Sequence, residues 1–357
     1  MKKFMKQKQV KIVTYCSWSS LGSILQSFAL SRTISSFGYR NIILHEEWNR
    51  TVGKHRPKGF REFLKFAYKS IWERKRKRAY CNRMQFIDAN MKTEYFLHYN
   101  DLLHVNRERE NDVYLVGSDQ VWHPDLCNPL FFLDFVKNAP RISYAASMGK
   151  TEIKPEKEEI FGNMIRNFDH ISVREHNCVD VIRRFTNKEI FVHIDPTFLI
   201  DSDTWRKMEI PRNIKTPYIL LYMLYWDKSY QIKIKELRKK TGLPVYSICS
   251  DVPRGYADKY LLDVGVEEFL WLIDHAAYVI TSSFHGVAFS IIFNKKFSAI
   301  VNPALPSRIE NILNVLSAPC IGIDELDREG AFDYSVVNKR ISEERDRSIE
   351  YLKGAIG

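Results

Sequence analysis

The chain has no apolar run longer than the nine residues 218–226, whereas a membrane-spanning helix needs about 20. It has no C-x-x-C. Its six cysteines (Cys16, Cys81, Cys127, Cys178, Cys249, Cys320) are scattered, and no Cys/His pair has zinc-site spacing. Each cysteine therefore reads as a small, half-buried apolar residue in a reducing compartment. No internal repeat or low-complexity tract is present, and the first ten residues are polar and charged, with no stretch of signal-peptide length. These absences together predict a cytoplasmic globular protein.

What is present fits two domains. The 357 residues are 45% hydrophobic and 27% charged, enough to bury a substantial core. The net charge of +11 is concentrated: residues 50–83 carry 13 Lys/Arg against Glu62 and Glu73, a surplus equal to that of the whole chain. Within this element Phe60, Phe63, Leu64, Ala67 and Ile71 recur at helical spacing, and Arg74-Lys75-Arg76-Lys77-Arg78 closes it. Three readings fit: a solvated helix, an interfacial helix on an anionic membrane through residues 60–78, or an oligomer contact. Nucleic acid is not indicated, because no nucleic-acid module accompanies the charge.

Short Val/Ile/Tyr-rich runs alternate with amphipathic stretches. The runs are residues 11–15, 41–44, 113–116, 141–145, 170–173, 190–194, 218–224, 244–248, 278–281 and 297–301. The amphipathic stretches include 24–36, 230–240, 266–275 and 307–316. Such alternation predicts α/β architecture with parallel sheets. The polar, proline-bearing stretch 201–217 is expected to link two doubly wound, Rossmann-like domains, 1–205 with the basic insertion at 50–83 and 212–357 with a terminal helix, facing across a cleft. In such sheets ligands bind beyond the carboxyl ends of the strands, and polar clusters recur at those ends.

Six blocks carry a resemblance. They are Gly22-Ser23-Ile24-Leu25-Gln26-Ser27-Phe28-Ala29-Leu30, Val116-Gly117-Ser118-Asp119-Gln120-Val121-Trp122, Ile142-Ser143-Tyr144-Ala145-Ala146-Ser147-Met148-Gly149, Ile171-Ser172-Val173-Arg174-Glu175, Asp195-Pro196-Thr197 and Ile280-Thr281-Ser282-Ser283-Phe284-His285-Gly286. In content and order they resemble the polysaccharide pyruvyl transferase family. The resemblance implies a GT-B-like fold and transfer of pyruvyl from phosphoenolpyruvate, as a ketal, to a sugar of a cell-surface polysaccharide precursor, such as one for capsule or exopolysaccharide. It implies phosphoenolpyruvate as co-substrate, no further cofactor, and a saccharide acceptor that is free or lipid-linked. Two departures stand out: Ser20-Leu21-Gly22 replaces the family's Asn-Tyr-Gly, and Ser283 replaces an Arg found in some members. Lys295 and Lys296 are then the nearby candidates for the missing cation. The alternatives are a GT-B nucleotide-sugar glycosyltransferase and a non-catalytic scaffold on the membrane surface.

The residues can be read chemically beside this. A phosphate and a carboxylate need fixed cations and N–H donors. Arg174, at a strand end beside Glu175, suits a bidentate anion contact, or forms a surface ion pair with it. Ser283, Lys296 and Gly286 complete the candidate donor set. His285, at a helix start, is the candidate acid or phosphate partner, or else a satisfied core histidine. Asp119 would face an acceptor hydroxyl, or cap a helix. Ser118 stands beside it, and Trp122 would stack on a pyranose or lie half-buried. Ser17, Gly22, Ser23 and Gln26 form a small-residue loop entering a helix, fit for phosphate or hydroxyls but without nucleotide-loop spacing. Asp195 reads as a loop-shaping residue before Pro196. Asp201-Ser202-Asp203 reads as solvated linker, so no metal site is expected.

Overall fold

The computed structural model describes residues 8–46, 60–96, 99–105, 111–225, 229–248, 256–301, 307–327 and 332–357; the side chains of 60–72, 104, 105 and 307 lie outside that description. The first half contains β1 (Gln9–Val13), α1 (Leu21–Ser36), β2 (Arg40–Glu46), α2 (Phe60–Asn90), β3 (Thr93–Phe96), α3 (Tyr99–Val105), β4 (Asp112–Val116), β5 (Arg141–Ser143), α4 (Pro155–Arg166), β6 (Ile171–Val173), α5 (Asn177–Arg183), β7 (Ile190–Val192) and α6 (Ser202–Arg206). A parallel sheet runs in the order β3-β2-β1-β4-β5. The β6–β7 pair continues it through bridges from Ile142 to His170 and from Ala146 to Val173. The second half contains β8 (Ile219–Tyr222), α7 (Ser229–Thr241), β9 (Val245–Ile248), β10 (Lys259–Leu261), α8 (Val266–Asp274), β11 (Tyr278–Thr281), α9 (Phe284–Ile292), β12 (Lys296–Ala299), α10 (Ser307–Leu316) and α11 (Ser335–Ile356). Its parallel sheet has the order β10-β9-β8-β11-β12. The strand order reverses between β1 and β4 and again between β8 and β11, which opens a crevice at each point.

Burial explains the pattern. Every residue of β4 and β8 is buried, as central strands covered on both faces require. Helix α1 is capped by Ser20, whose side chain accepts from Ser23 N–H, and buries 13 of its 16 residues. A helix buried nearly all round, its buried serines and Gln26 included, must be enclosed, and α1 packs against α2, α8, α9 and the 3-10 turn Pro196–Leu199.

The structure adds several features that the sequence does not show. Strands β3 and β10 were not expected; both are short edge strands with exposed residues and weak alternation. The basic helix does not close at 74–78 but continues to Asn90, about 46 Å in all. Its last turns bury Phe86 and Ile87, with the Phe86 ring 5.3 Å from that of Phe28. Residues 50–59 lie outside the described residues. The stretch 201–217, between the strands of the two sheets, is packed: Asp201 caps α6 through Thr204 N–H, and fully buried Trp205 packs on Phe28 (5.6 Å) and Phe289 (5.1 Å), one from each half. The terminal helix returns to the first domain. Tyr351 Oη donates to Ser143 O (2.8 Å), Arg345 Nε to Phe198 O (2.7 Å), and Tyr39 Oη to Gly357 O (2.8 Å).

Of the five cysteines described, all are free; Cys81 is exposed and Cys16, Cys127 and Cys178 are buried. Among the described residues no helix is long and apolar enough to cross a membrane.

One ionisable group at the junction gives a stability prediction. Burial, then Asp274, pushes the Glu209 carboxyl up to about 7, against the pull of Arg206. A carboxyl raised in the folded state binds more protons there than in the unfolded chain, so stability falls as pH rises from about 4.5 through 7. Melting curves between pH 5 and 8 should show a falling wild-type Tm and a smaller fall in Glu209→Gln; equal slopes would contradict the assignment.

Candidate active site

The loops at the carboxyl ends of β1, β4, β5, β6 and β7 meet the start of α9 from the other domain. At the centre lie Arg174, Asp195 and His285, all at least 94% buried. Arg174 follows β6; its backbone N–H donates to Ala146 O (3.1 Å), and its carbonyl accepts from Asn311 Nδ2 (3.1 Å) of α10. Its guanidinium donates from Nε to Glu175 Oε1 (2.9 Å) and from Nη1 to Asp195 Oδ2 (2.8 Å), while Phe284 of α9 covers its face at 4.0 Å. Burial opposes the Arg174 charge, but Glu175, Asp195 and Asp119 outweigh it and hold the group protonated. Nη2 alone among its nitrogens is buried without a partner.

Asp195 does shape the loop, as expected. Its Oδ1 accepts from Thr197 N–H (3.0 Å) and Oγ1 (2.9 Å) and caps the 3-10 turn. Its Oδ2 also faces His285 Nε2 at 3.7 Å, which the sequence did not reveal. Burial pushes the Asp195 carboxyl up, yet His285, Arg174 and the Thr197 hydrogen bonds outweigh it, so the carboxyl stays below its usual range.

His285 is the second residue of α9, capped by Ser283, and its ring lies against α1 of the other domain: a Cβ on Gly22 would overlap Nδ1. Burial lowers the proton affinity of His285. Arg174 and Arg308 lower it further, and Asp195 and Asp119 oppose them without cancelling the shift. The imidazole Nε2 is buried without a hydrogen-bond partner.

The loop after β4 is held tightly. Gly117 has φ +125°, and a Cβ there would overlap Tyr144 O. Asp119 has φ +66°, a left-handed conformation costly for most side chains but accessible to Asp. Its carbonyl accepts from Val121 N–H (2.8 Å) and Ser147 N–H (3.0 Å), which fixes that conformation. Its half-buried carboxylate accepts from Gln120 N–H (2.9 Å) at the cleft edge.

The other sequence candidates divide. Ser17 lies half-buried at the cleft surface, bonded to Ser19 Oγ (2.7 Å). Ser23, Gln26 and Ser118 are buried braces. Gln26 Nε2 donates to Tyr15 O (2.8 Å) and its Oε1 accepts from Ser118 N–H (3.1 Å), tying the ends of β1 and β4 together. Ser23 Oγ donates to Ser20 O (2.9 Å), and Ser118 Oγ donates to Ala145 O (2.6 Å). Ser283 Oγ accepts from Gly286 N–H (3.4 Å), so the cap occupies both residues; a Cβ on Gly286 would overlap Thr281.

Two candidates are misplaced. Trp122 has no exposed surface; its Nε1 donates to Phe131 O (3.1 Å) and its ring packs on Phe132 and Phe168, so it cannot stack on a sugar. Lys296 pairs with Tyr278 at the amino end of β11, the wrong end of the sheet for this site, and its Nζ sits 5.6 Å from the centre of the Phe332 ring. Lys295 donates to Asp274 O instead.

Further residues stand at the cleft: Arg308 at the start of α10 and His123 after β4, which carry no motif, and Gln120 after β4 and Trp18 after β1, which belong to the polar strand ends. The Trp18 ring meets that of Tyr80 edge-on at 5.1 Å, and Arg83 of α2 donates to Trp18 O (3.0 Å) and Val264 O (3.0 Å), linking α2 to both domains. Among the described residues, the ligand-type side chains close enough together for a metal ion are Glu209, Asp274 and His275, away from this cleft. Arg206 already engages both Asp274 oxygens (2.9 and 3.4 Å).

Comparison with solved structures supports the architecture. UDP-GlcNAc 2-epimerase from Methanocaldococcus jannaschii superposes with TM-score 0.55 at 11% identity, covering 94% of this chain and 92% of its own. The UDP-GlcNAc 2-epimerase from Neisseria meningitidis, bound to UDP-GlcNAc, gives 0.54 at 11%, covering 98% and 100%. S. aureus MnaA, solved with UDP, gives 0.57 at 11%, covering 97% and 96%. At this identity the likeness is one of fold, the two-domain GT-B-like arrangement. No curated protein matches by sequence. The profile of the polysaccharide pyruvyl transferase family matches residues 21–303. That span takes in every motif that meets in the cleft, from Gly22 to His285, and the chain belongs to the polysaccharide pyruvyl transferase family.

Proposed function

We propose that this protein moves pyruvyl from phosphoenolpyruvate onto two hydroxyls of a saccharide. The carrying observation is the junction of Arg174, Asp195 and His285, where both domains leave a buried nitrogen without a partner. Such donors are costly to bury and suit a small polyanion that fills the gap. In the reaction the methylene carbon gains a proton and the adjacent carbon becomes oxocarbenium-like. One hydroxyl oxygen bonds to it, the carbon–oxygen bond to phosphate breaks, and the second hydroxyl closes the ketal. Of the two hydroxyl protons, one balances the proton placed on the methylene carbon and the other leaves with phosphate or solvent.

In this reading Arg174 Nη2 holds the donor, His285 delivers the proton or hydrogen-bonds the phosphate, and Asp119 orients or deprotonates an acceptor hydroxyl. Trp18 and Tyr80, with Ser17, offer the aromatic and hydroxyl surface that Trp122 does not, so the acceptor lies on that side. Because burial and the two arginines lower the proton affinity of His285 and a bound anion raises it, donor binding should take up a proton. Titration calorimetry with phosphoenolpyruvate, in buffers of different ionisation heat, should give an affinity that falls as pH rises and a positive proton count. Binding of a nucleotide sugar without binding of phosphoenolpyruvate would favour glycosyl transfer instead.

We further propose that α2 holds the protein on an anionic membrane surface, near a lipid-linked acceptor. Residues 73–78 are exposed over more than a full helical turn, and a polybasic segment gains about 1 kcal/mol per Lys or Arg near such a surface. Co-flotation with anionic vesicles is expected at low salt, and its loss when Arg74 to Arg78 become Gln. No co-flotation of the wild type would sink the idea.

A further inference from the structure

We propose that Arg308 is the second cation of the donor site, taking one of the two anionic groups of phosphoenolpyruvate while Arg174 takes the other; this rests on the donor reading above. Arg174 cannot serve both groups, because Nε and Nη1 are committed to Glu175 and Asp195. Neither position suggested by the sequence supplies the missing charge: Ser283 caps α9, and Lys296 lies at the far end of the sheet. Lys150 is held by Asp125 at 2.6 Å.

Arg308 is placed to fill the gap. It is the second residue of α10, the helix that begins on the carboxyl-end side of β12 and so on the cleft side. One turn further on, Asn311 donates to Arg174 O (3.1 Å) and accepts from His176 N–H (3.2 Å). Residues three apart share a helix face, so the face that docks on the Arg174 strand end also carries Arg308. Its Nε is buried and has no hydrogen-bond partner, like Arg174 Nη2, His285 Nε2 and His123 Nδ1. Burial lowers the proton affinity of Arg308; Arg174 lowers it further, while Asp119 and Glu175 oppose. The two guanidinium groups, Arg174 buried and Arg308 half-buried, thus repel each other, and an anion between them relieves that repulsion.

The test is calorimetric titration of the full chain with phosphoenolpyruvate and, separately, with inorganic phosphate. Arg308→Gln is expected to lose at least tenfold in affinity for both, with an unchanged or higher Tm because the repulsion between the two guanidinium groups is gone. Should that variant be unstable, Arg308→Lys keeps the charge, loses the planar fork, and is expected to bind several-fold more weakly. Wild-type affinity in the folded Gln variant, or in the Lys variant where Gln is unstable, overturns the proposal. If the wild type itself does not bind phosphoenolpyruvate, the donor reading fails; Arg308 is then judged on the phosphate arm alone, where unchanged affinity overturns it.

Discussion

Gly22→Ala is expected to lower turnover by about a hundredfold while leaving the fold intact. In a helix Ala is favoured over Gly by about 1 kcal/mol, so local propensity favours the variant. The added Cβ, however, would overlap His285, and the nearest atoms are Nδ1, Cγ and Cβ, the root of the ring and not its tip. The glycine's backbone cannot give way easily, since Ser20 caps α1 and Ser23 ties the preceding loop. His285 must therefore shift, and a misplacement of about 1 Å at a reacting group costs on the order of a hundredfold. Steady-state kinetics beside a melting curve checks this. Wild-type turnover would mean that the position of His285 does not matter to the reaction.

Arg174 should separate folding from binding. Arg174→Leu leaves Asp195 and Glu175 buried without their cation; their side chains are 0% and 2% exposed. Removing one partner of a buried ion pair costs about 3–5 kcal/mol, so urea unfolding should show a loss of that size. Arg174→Lys keeps a charge but not the planar fork that reaches two carboxylates and still presents Nη2. It should fold and bind phosphoenolpyruvate at least tenfold more weakly. An unchanged affinity would make Arg174 purely structural.

Much of the site was legible because local chemistry wrote it. The sequence Ser283-Phe284-His285-Gly286 carries its own cap, ring cover, imidazole and close-packing glycine, and the loop after β4 needs Gly117 for its backbone. The strand–helix alternation marks every strand of both sheets except β3 and β10, edge strands of four and three residues whose exposure leaves little pattern. What stayed hidden depends on tertiary packing. Arg308 opens an ordinary amphipathic helix, and nothing in its neighbourhood says that α10 docks beside Arg174. Trp122 has the same signature whether it faces a sugar or Phe132. Lys296 follows α9 closely in sequence, but the chain has crossed the sheet by then and enters β12 from the opposite end. Asp195 reads as a loop-shaping residue because Pro196 follows it; its second oxygen meets Arg174 and His285 only in three dimensions. The docking of α11 on the first domain has no local signal either, since its contacts are to backbone carbonyls such as Ser143 O and Phe198 O.

The most direct measurement is product analysis by mass spectrometry after incubating the protein with phosphoenolpyruvate and candidate saccharides, free and lipid-linked. Pyruvyl transfer predicts a saccharide that gains one pyruvyl ketal, with one inorganic phosphate released per ketal, and neither product from His285→Gln. Phosphate release without a modified saccharide, or sugar transfer from a nucleotide donor with phosphoenolpyruvate untouched, would contradict it.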